Sequence, residues 1–259
     1  MNEENLIKYY NKFNENKRLN TRHGNVEFIT TMHYISKYLK EFSNPKIIEV
    51  GAGTGRYSIE LSNQGYDVTA VELVKHNLRV IESKNSSVKV FQGNAIDLSK
   101  FNDNTYDMVL LFGPMYHLID EADKIKALNE AKRVLKDDGI IMIAYCLSDY
   151  AIIKHGFMDG NIIKSIKNNT LDSNFNIISK DDDLYSYVRI SDIDRYNNIC
   201  NLKRVNLFTP TGPANYIRSS VNKLSEDEYM IFCDYVLHTC ERLDMIGASS
   251  HAVDVLKKQ

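Results

Sequence analysis

The chain has 259 residues, of which 43% are hydrophobic and 25% charged, with a formal net charge of −2. That length fits one large domain or a domain with a cap, and the composition is that of a globular protein with a real core. The charge balance argues against a non-specific nucleic-acid binder, which shows a basic footprint, and leaves only a local patch for a structured RNA.

Residues 1–45 read as a helical cap, rich in Tyr and Asn, ahead of the first strand. The opening MNEENLIKYYNKF has no basic stretch followed by an apolar core, so no secretory signal is expected. The run Ile140 to Leu147 is too short to span a bilayer, and a cytoplasmic protein is expected. From Lys46 the pattern alternates. Strand-like KIIEV (46–50) precedes a helix over about 56–63, closed by Gly65. DVTAVE (67–72) is the second strand and KHNLRVIESK (75–84) the next helix. VKVFQG (88–93) and YDMVLLF (106–112) follow as strands. A long helix runs over about 121–136, with Ile125, Leu128, Ala131, Val134 and Leu135 on one face, before strand IIMIAYC (140–146).

Beyond that the pattern loosens. A helical stretch is expected over about 149–168, then a polar, aromatic segment DDDLYSYVRI. KRVNLFTP (203–210) reads as a sixth strand, 225–243 as a helix opened by the capping box Ser225 and Glu228, and HAVDVLKK (251–258) as a final strand. Strands spaced by helices imply a doubly wound, Rossmann-like α/β sheet, mostly parallel, with helices on both faces. Cys146, Cys200, Cys233 and Cys240 form no CxxC pair, so no metal site is suggested and buried thiols are expected.

The stretch Ile47 to Tyr57, IIEVGAGTGRY, carries the chemistry. A strand, glycines and a helix start place bare amides at the strand's carboxyl end, where open α/β sheets bind ligands. The dinucleotide fingerprint G-x-G-x-x-G needs its third glycine where Arg56 stands, so an NAD or FAD site loses its main support. The spacing Glu49, Gly51, Gly53, Gly55 instead resembles motif I of class I S-adenosylmethionine-dependent methyltransferases. A plain strand-to-helix turn is the alternative.

Further residues carry the same resemblance. Glu72 ends the second strand, 17 residues after Gly55, where a carboxylate would accept ribose hydroxyls. Gly93-Asn94-Ala95-Ile96-Asp97 resembles the family's adenine segment, with Asn94 where Asp is common; Asp97 reads equally as a turn residue. Glu130, Arg133, Val134, Leu135 and Gly139 match a family marker whose own role is structural. The resemblance covers about residues 45–147. It implies S-adenosyl-L-methionine as cofactor, with S-adenosyl-L-homocysteine as product, and an antiparallel last strand. It places Glu49, Gly51, Ala52, Gly53, Gly55, Glu72, Leu73, Asn94, Ala95, Ile96, Gly113 and Tyr10 around the cofactor. It divides the chain into a cap (1–45) and a methyltransferase domain (46–259) with insertions at about 147–200 and 211–250.

Methyl transfer is an in-line displacement on an activated carbon, so positioning alone supplies much of the rate and no base is obligatory. Gly113-Pro114-Met115-Tyr116 lacks the Asn or Asp that would accept from an exocyclic amine, which argues against adenine-N6 methylation. The segment through His117 and Leu118 looks like that of small-molecule methyltransferases of the ubiquinone-biosynthesis type. His117 is the candidate base, its pKa lying near working pH; capping the next helix or holding backbone is the other reading. Tyr116 lines the pocket or packs. Tyr9, Tyr10, Arg18 and His23 are candidates to close over the cofactor, and Tyr185, Tyr187, Arg189 and Phe208 to wall the acceptor. The leading expectation is an enzyme methylating a small molecule, with no membrane or metal partner. A tRNA or rRNA methyltransferase and a non-catalytic cofactor-binding module are the alternatives.

Overall fold

The computed structural model describes residues 6, 7, 9, 21–84 and 86–259. Its centre is a sheet built from β1 (Lys46–Val50), β2 (Asp67–Glu72), β3 (Lys89–Gln92), β4 (Tyr106–Leu111), β5 (Leu135–Leu147), β6 (Tyr187–Val188), β7 (Leu202–Phe208) and β8 (His251–Lys258). The spatial order is β3-β2-β1-β4-β5-β8-β7, with the two-residue β6 pairing the end of β5. Strands β1 to β5 run parallel, and β8 lies antiparallel to both β5 and β7. The interior strands are buried on both faces, as their unbroken apolar runs require: Ile47, Ile48 and Val50 of β1 and Met108 to Leu111 of β4 are essentially inaccessible.

Helices cover the two faces. On one side α4 (Glu121–Val134) and α7 (Ile190–Ile199) pack Ala127, Leu128, Ala131, Ile193 and Tyr196 onto Ile48, Val109 and Ile141. On the other, α1 (Arg22–Leu39) packs Tyr34, Ile35, Tyr38 and Leu39 onto Ile47, Met108, Val255 and Phe208. Val26 of α1 also joins Val236 and Cys233 of α9 (Glu226–Thr239), which begins at the expected Ser225–Glu228 capping box. Short helices α2 (Arg56–Asn63) and α3 (Lys75–Ser83) follow β1 and β2.

Three departures from the sequence expectations have local causes. The helix after β4 ends at Val134 rather than 136, because Leu135 already pairs with Tyr106. The stretch 149–168 is not one helix. It comprises α5 (Ser148–Ala151), a wider π-type turn Ile152–Met158 and α6 (Ile162–Lys167), interrupted by Gly160 at φ 74°. Helix α7 was not expected, because the stretch before it is polar; Asp192 caps its first turn by accepting from the Arg189 amide at 2.9 Å. The Glu130–Arg133 marker acts as expected. Glu130 accepts from the Leu98 amide at 2.6 Å, while Arg133 donates to Leu98 O and Phe101 O, so α4 holds the β3–β4 connection. All four cysteines are buried and unpaired by disulfide. Among the described residues, no helix is long and apolar enough to cross a membrane and no group of acidic, His and Cys side chains could hold a metal ion.

Candidate functional site

Neighbouring strands leave β1 in opposite directions, to β2 on one side and β4 on the other, which opens a crevice at their carboxyl ends. The loop Gly51–Gly55 forms its wall, with Gly51, Gly53 and Gly55 at φ 76°, 56° and 81°, backbone that side chains resist. The three glycines do different jobs. A Cβ on Gly51 would lie 2.6 Å from Pro114 Cδ, so Gly51 lets the β1 loop touch the β4 loop. A Cβ on Gly55 would strike Ile81 and Ile59, so Gly55 permits close packing of α2 and α3. A Cβ on Gly53 would meet nothing within 4 Å, leaving open space over its backbone.

Two buried carboxylates stand in the crevice. Glu49 Oε2 accepts from the Ser58 amide at 2.9 Å and from the Ser58 hydroxyl. Burial pushes its pKa up to about 7; the Ser58 hydrogen bonds oppose this and the neighbouring Glu72 adds to it. Glu72 Oε2 accepts from the Gly53 amide and Oε1 from the Val74 amide, both at 2.8 Å. Burial raises Glu72 above the ordinary carboxylate range, against those amide bonds. A carboxylate has about four lone-pair directions, so both groups keep accepting capacity for a ligand.

The crevice has about 1000 Å³ of empty space, its solvent mouth included, at the upper end of the range for small-molecule sites. Of the residues expected there, Glu49, Gly51, Ala52, Gly53, Glu72, Leu73, Asn94, Ala95, Gly113, Tyr116 and His117 line it. Gly55 and Ile96 do not: Gly55 packs underneath, and Ile96 turns into the core while its amide donates to Asn94 Oδ1 at 3.2 Å. Asp97 is a turn residue, accepting from the Ser99 amide at 3.0 Å. Tyr10 and Arg18 lie outside the described residues. Arg56 and Pro114 line the crevice too, as do Leu6, Glu27, Thr54, Tyr57, Val74, Asn77 and Phe112, for which the sequence suggests no role. Arg56, which broke the dinucleotide pattern, stacks 4.4 Å from the Phe28 ring centre and donates to Asn25 Oδ1, so it fastens α1 beside the crevice.

His117 is 6% exposed, and its Nδ1 donates to Leu184 O at 2.8 Å. Burial lowers its pKa to about 4. The expectation of a base poised near working pH is therefore corrected: the folded protein keeps this imidazole neutral and weakly basic, tied to the 170–186 segment. Lys124 Nζ reinforces the tie, donating to Leu118 O and to Ser186 Oγ at 2.9 Å.

A second cavity adjoins the first and shares Glu27, Phe112 and Tyr116 with it. Tyr185 and Tyr187 line it, with Tyr150, Arg218, Ser250 and His251, and Tyr9, expected over the cofactor, lines this cavity and not the crevice. Tyr185 lies 6.1 Å from Tyr116 and 6.4 Å from Tyr187 between ring centres, and the Tyr116 hydroxyl donates to Phe112 O at 2.7 Å. Phe208 is not here: it is fully buried and stacks on Tyr34 at 3.9 Å. Arg189, at the start of α7, donates to Asn176 Oδ1, and His23 bonds Asn222 at the start of α1.

Residues 48–143 match a family described as a methyltransferase domain. A putative methyltransferase of Geobacillus sp. (strain WCH70) is 27% identical over 117 residues, covering 42% of this chain and 47% of that protein. A glycine/sarcosine N-methyltransferase of Aphanothece halophytica is 29% identical over 115 residues, covering 42% and 43%. The matches thus span under half the length of these relatives. The fold is similar to a Pyrococcus horikoshii protein, PH0226, with a TM-score of 0.61 at 14% identity, covering 97% of this chain and 99% of that one. It is also similar to an S-adenosylmethionine-dependent methyltransferase of Methanosarcina mazei, with a TM-score of 0.56 at 15% identity, covering 87% and 96%. Strand order, glycine crevice and family match agree: residues 48–143 form a methyltransferase domain, on a fold similar to that of S-adenosylmethionine-dependent methyltransferases.

Proposed function

We propose that this chain transfers a methyl group from S-adenosylmethionine to a small-molecule acceptor. The observation that carries the proposal is the pairing of two adjoining cavities: a glycine-walled crevice holding two buried carboxylates, and a ring-lined cavity sharing Phe112 and Tyr116 with it. A crevice with Glu49 and Glu72 inside it suits a ligand of positive charge that also bears hydroxyls. The bare backbone at Gly53 leaves room for close approach.

When bound, S-adenosylmethionine supplies a methyl carbon already activated by its sulfonium. Glu72 is placed to accept the ribose hydroxyls, and Glu49 to meet the amino-acid ammonium. Leu73, Asn94 and Ala95 would flank the adenine, with Ile96 supporting Asn94 from behind. Gly113 and Tyr116 stand where the crevice meets the second cavity, so Tyr116 would line up the acceptor. His117 is read as a positioning group, its Nδ1–H holding Leu184 O so that Tyr185 faces Tyr116. Alignment of this kind supplies roughly 7–11 kcal/mol to a two-substrate step. The open second cavity favours an enzyme over a non-catalytic binding module.

The relative named for glycine and sarcosine supports a small acceptor. The test follows S-adenosylhomocysteine release from purified protein supplied with donor and separated metabolite or RNA fractions. Release dependent on a low-mass fraction is expected. Release dependent only on RNA, or on no fraction, would contradict the proposal.

A further inference from the structure

We propose that the second cavity takes a small zwitterion, an amine carrying an acidic group, and that nitrogen is the atom methylated. This rests on the methyl-transfer reading above and goes beyond it in naming the acceptor class. Tyr116, Tyr150, Tyr185 and Tyr187 supply the rings of the cavity wall, and ring faces attract an ammonium group. Against this wall stand one carboxylate and one guanidinium. Glu27, half-buried on α1, lines both cavities, and its Oε2 lies 3.7 Å from His251 Nδ1. Arg218, exposed at the start of α8 (Arg218–Val221), makes no ion pair with a described carboxylate.

Arg218 is nevertheless held in place. Its Nε donates to Asn215 Oδ1 and its Nη2 to Tyr150 OH, each at 3.2 Å, and buried Asn215 donates onward to Ser250 Oγ. A positioned guanidinium facing a cavity suits a carboxylate or similar anion. Glu27 sits on the side shared with the donor crevice, so the amine end faces the methyl group and the acidic end faces Arg218.

An ammonium group must lose a proton before its nitrogen can attack. His251 is placed to take it. Its Nδ1 lies 3.7 Å from Glu27 Oε2 and 3.2 Å from Ser250 Oγ, which holds the imidazole on the cavity wall beside the carboxylate that would meet the amine. The proton passes from the acceptor nitrogen to His251. The freed pair forms the new N–C bond, the C–S bond breaks with its pair moving to sulfur, and the sulfonium becomes a thioether. The proton then leaves His251 to water, and charge and atoms balance.

Calorimetry on the full chain saturated with S-adenosylhomocysteine tests this. The probes are the protein amino acids and their N-methyl forms, phenethylamine as an amine without an acid, and 3-phenylpropionate as an acid without an amine. At least one zwitterion is expected to bind about 10-fold or more tightly than either single-charge probe. Arg218→Met should reduce zwitterion binding to that of the amine while S-adenosylhomocysteine affinity stays unchanged. Glu27→Gln should weaken both zwitterion and amine. With the bound zwitterion and S-adenosylmethionine, His251→Gln should keep acceptor affinity and lower kcat about 100-fold. Preference for the acid, or no zwitterion binding while S-adenosylhomocysteine binds, would overturn the assignment. An unchanged kcat for His251→Gln would overturn the base role. Failure of S-adenosylhomocysteine itself to bind would instead refute the donor-site reading, and thermal melts identify any variant that is merely unfolded.

Discussion

Glu49 and His117 face one crevice and pull stability in opposite directions with pH. Glu49 rises from an ordinary 4.5 to about 7, so the folded state holds an extra proton between those values and stability falls as pH rises through them. His117 drops from 6.5 to about 4, so the unfolded state holds the extra proton and stability rises as pH rises from about 4 to 6.5. Each contribution amounts to about 3 kcal/mol, and in the native protein they nearly cancel. Glu49→Gln should therefore expose a stability that climbs from pH 4 to 6.5, and His117→Gln one that declines from pH 4.5 to 7. Urea unfolding across that range measures both, and parallel flat profiles would contradict the assignment. Glu49→Gln should also weaken donor binding at pH 8 while making the free protein more stable there. The glycines divide similarly. Gly53→Ala should fold, because only backbone strain of about 1–2 kcal/mol opposes it, and lose donor affinity; Gly51→Ala should fail to fold, because Pro114 already occupies the space.

At the level of elements, the far edge of the sheet depends on one buried charge. Asp254 on β8 is inaccessible, accepts from Arg204 Nε on β7 at 2.5 Å and Nη2 at 3.0 Å, and from Asn197 Nδ2 of α7 at 2.6 Å. Asp254→Ala leaves Arg204 paired only with the more exposed Asp194 and takes the acceptor from buried Asn197 Nδ2, and should cost about 1–3 kcal/mol. The loss should appear in urea unfolding and leave S-adenosylhomocysteine affinity unchanged, because none of these residues lines the crevice. Elements of this half were also the least legible. Strands β1 to β5 announce themselves by apolar runs and glycine turns, and Glu49 and Glu72 follow from the resemblance to the methyltransferase glycine motif. Phe208 looked like a pocket aromatic because it flanks the irregular region after β5, but strand alternation turns it against Tyr34. Helix α7 went unseen because its first turn is polar and its apolar stripe is only Ile193, Tyr196 and their neighbours.

For the whole molecule, the donor crevice is local in sequence and the acceptor cavity is not. Gly51, Glu72, Asn94 and Gly113 each stand at or just past a strand's carboxyl end, so a one-dimensional pattern finds them. Glu27, Arg218 and His251 come from α1, α8 and the start of β8, more than 220 residues apart at the extremes, and no spacing rule joins them. The antiparallel return of β8 beside β5, which sets His251 opposite Cys146, brings the third of them to the acceptor cavity. The central claim is that the glycine crevice holds S-adenosylmethionine through Glu72. Calorimetry of native protein and Glu72→Ala against S-adenosylhomocysteine and NADH tests it most directly. The account predicts S-adenosylhomocysteine binding that weakens about 10-fold or more in the variant, from lost charge-assisted hydrogen bonds, with no NADH binding. Binding of NADH, or equal S-adenosylhomocysteine affinity in the two proteins, would contradict it.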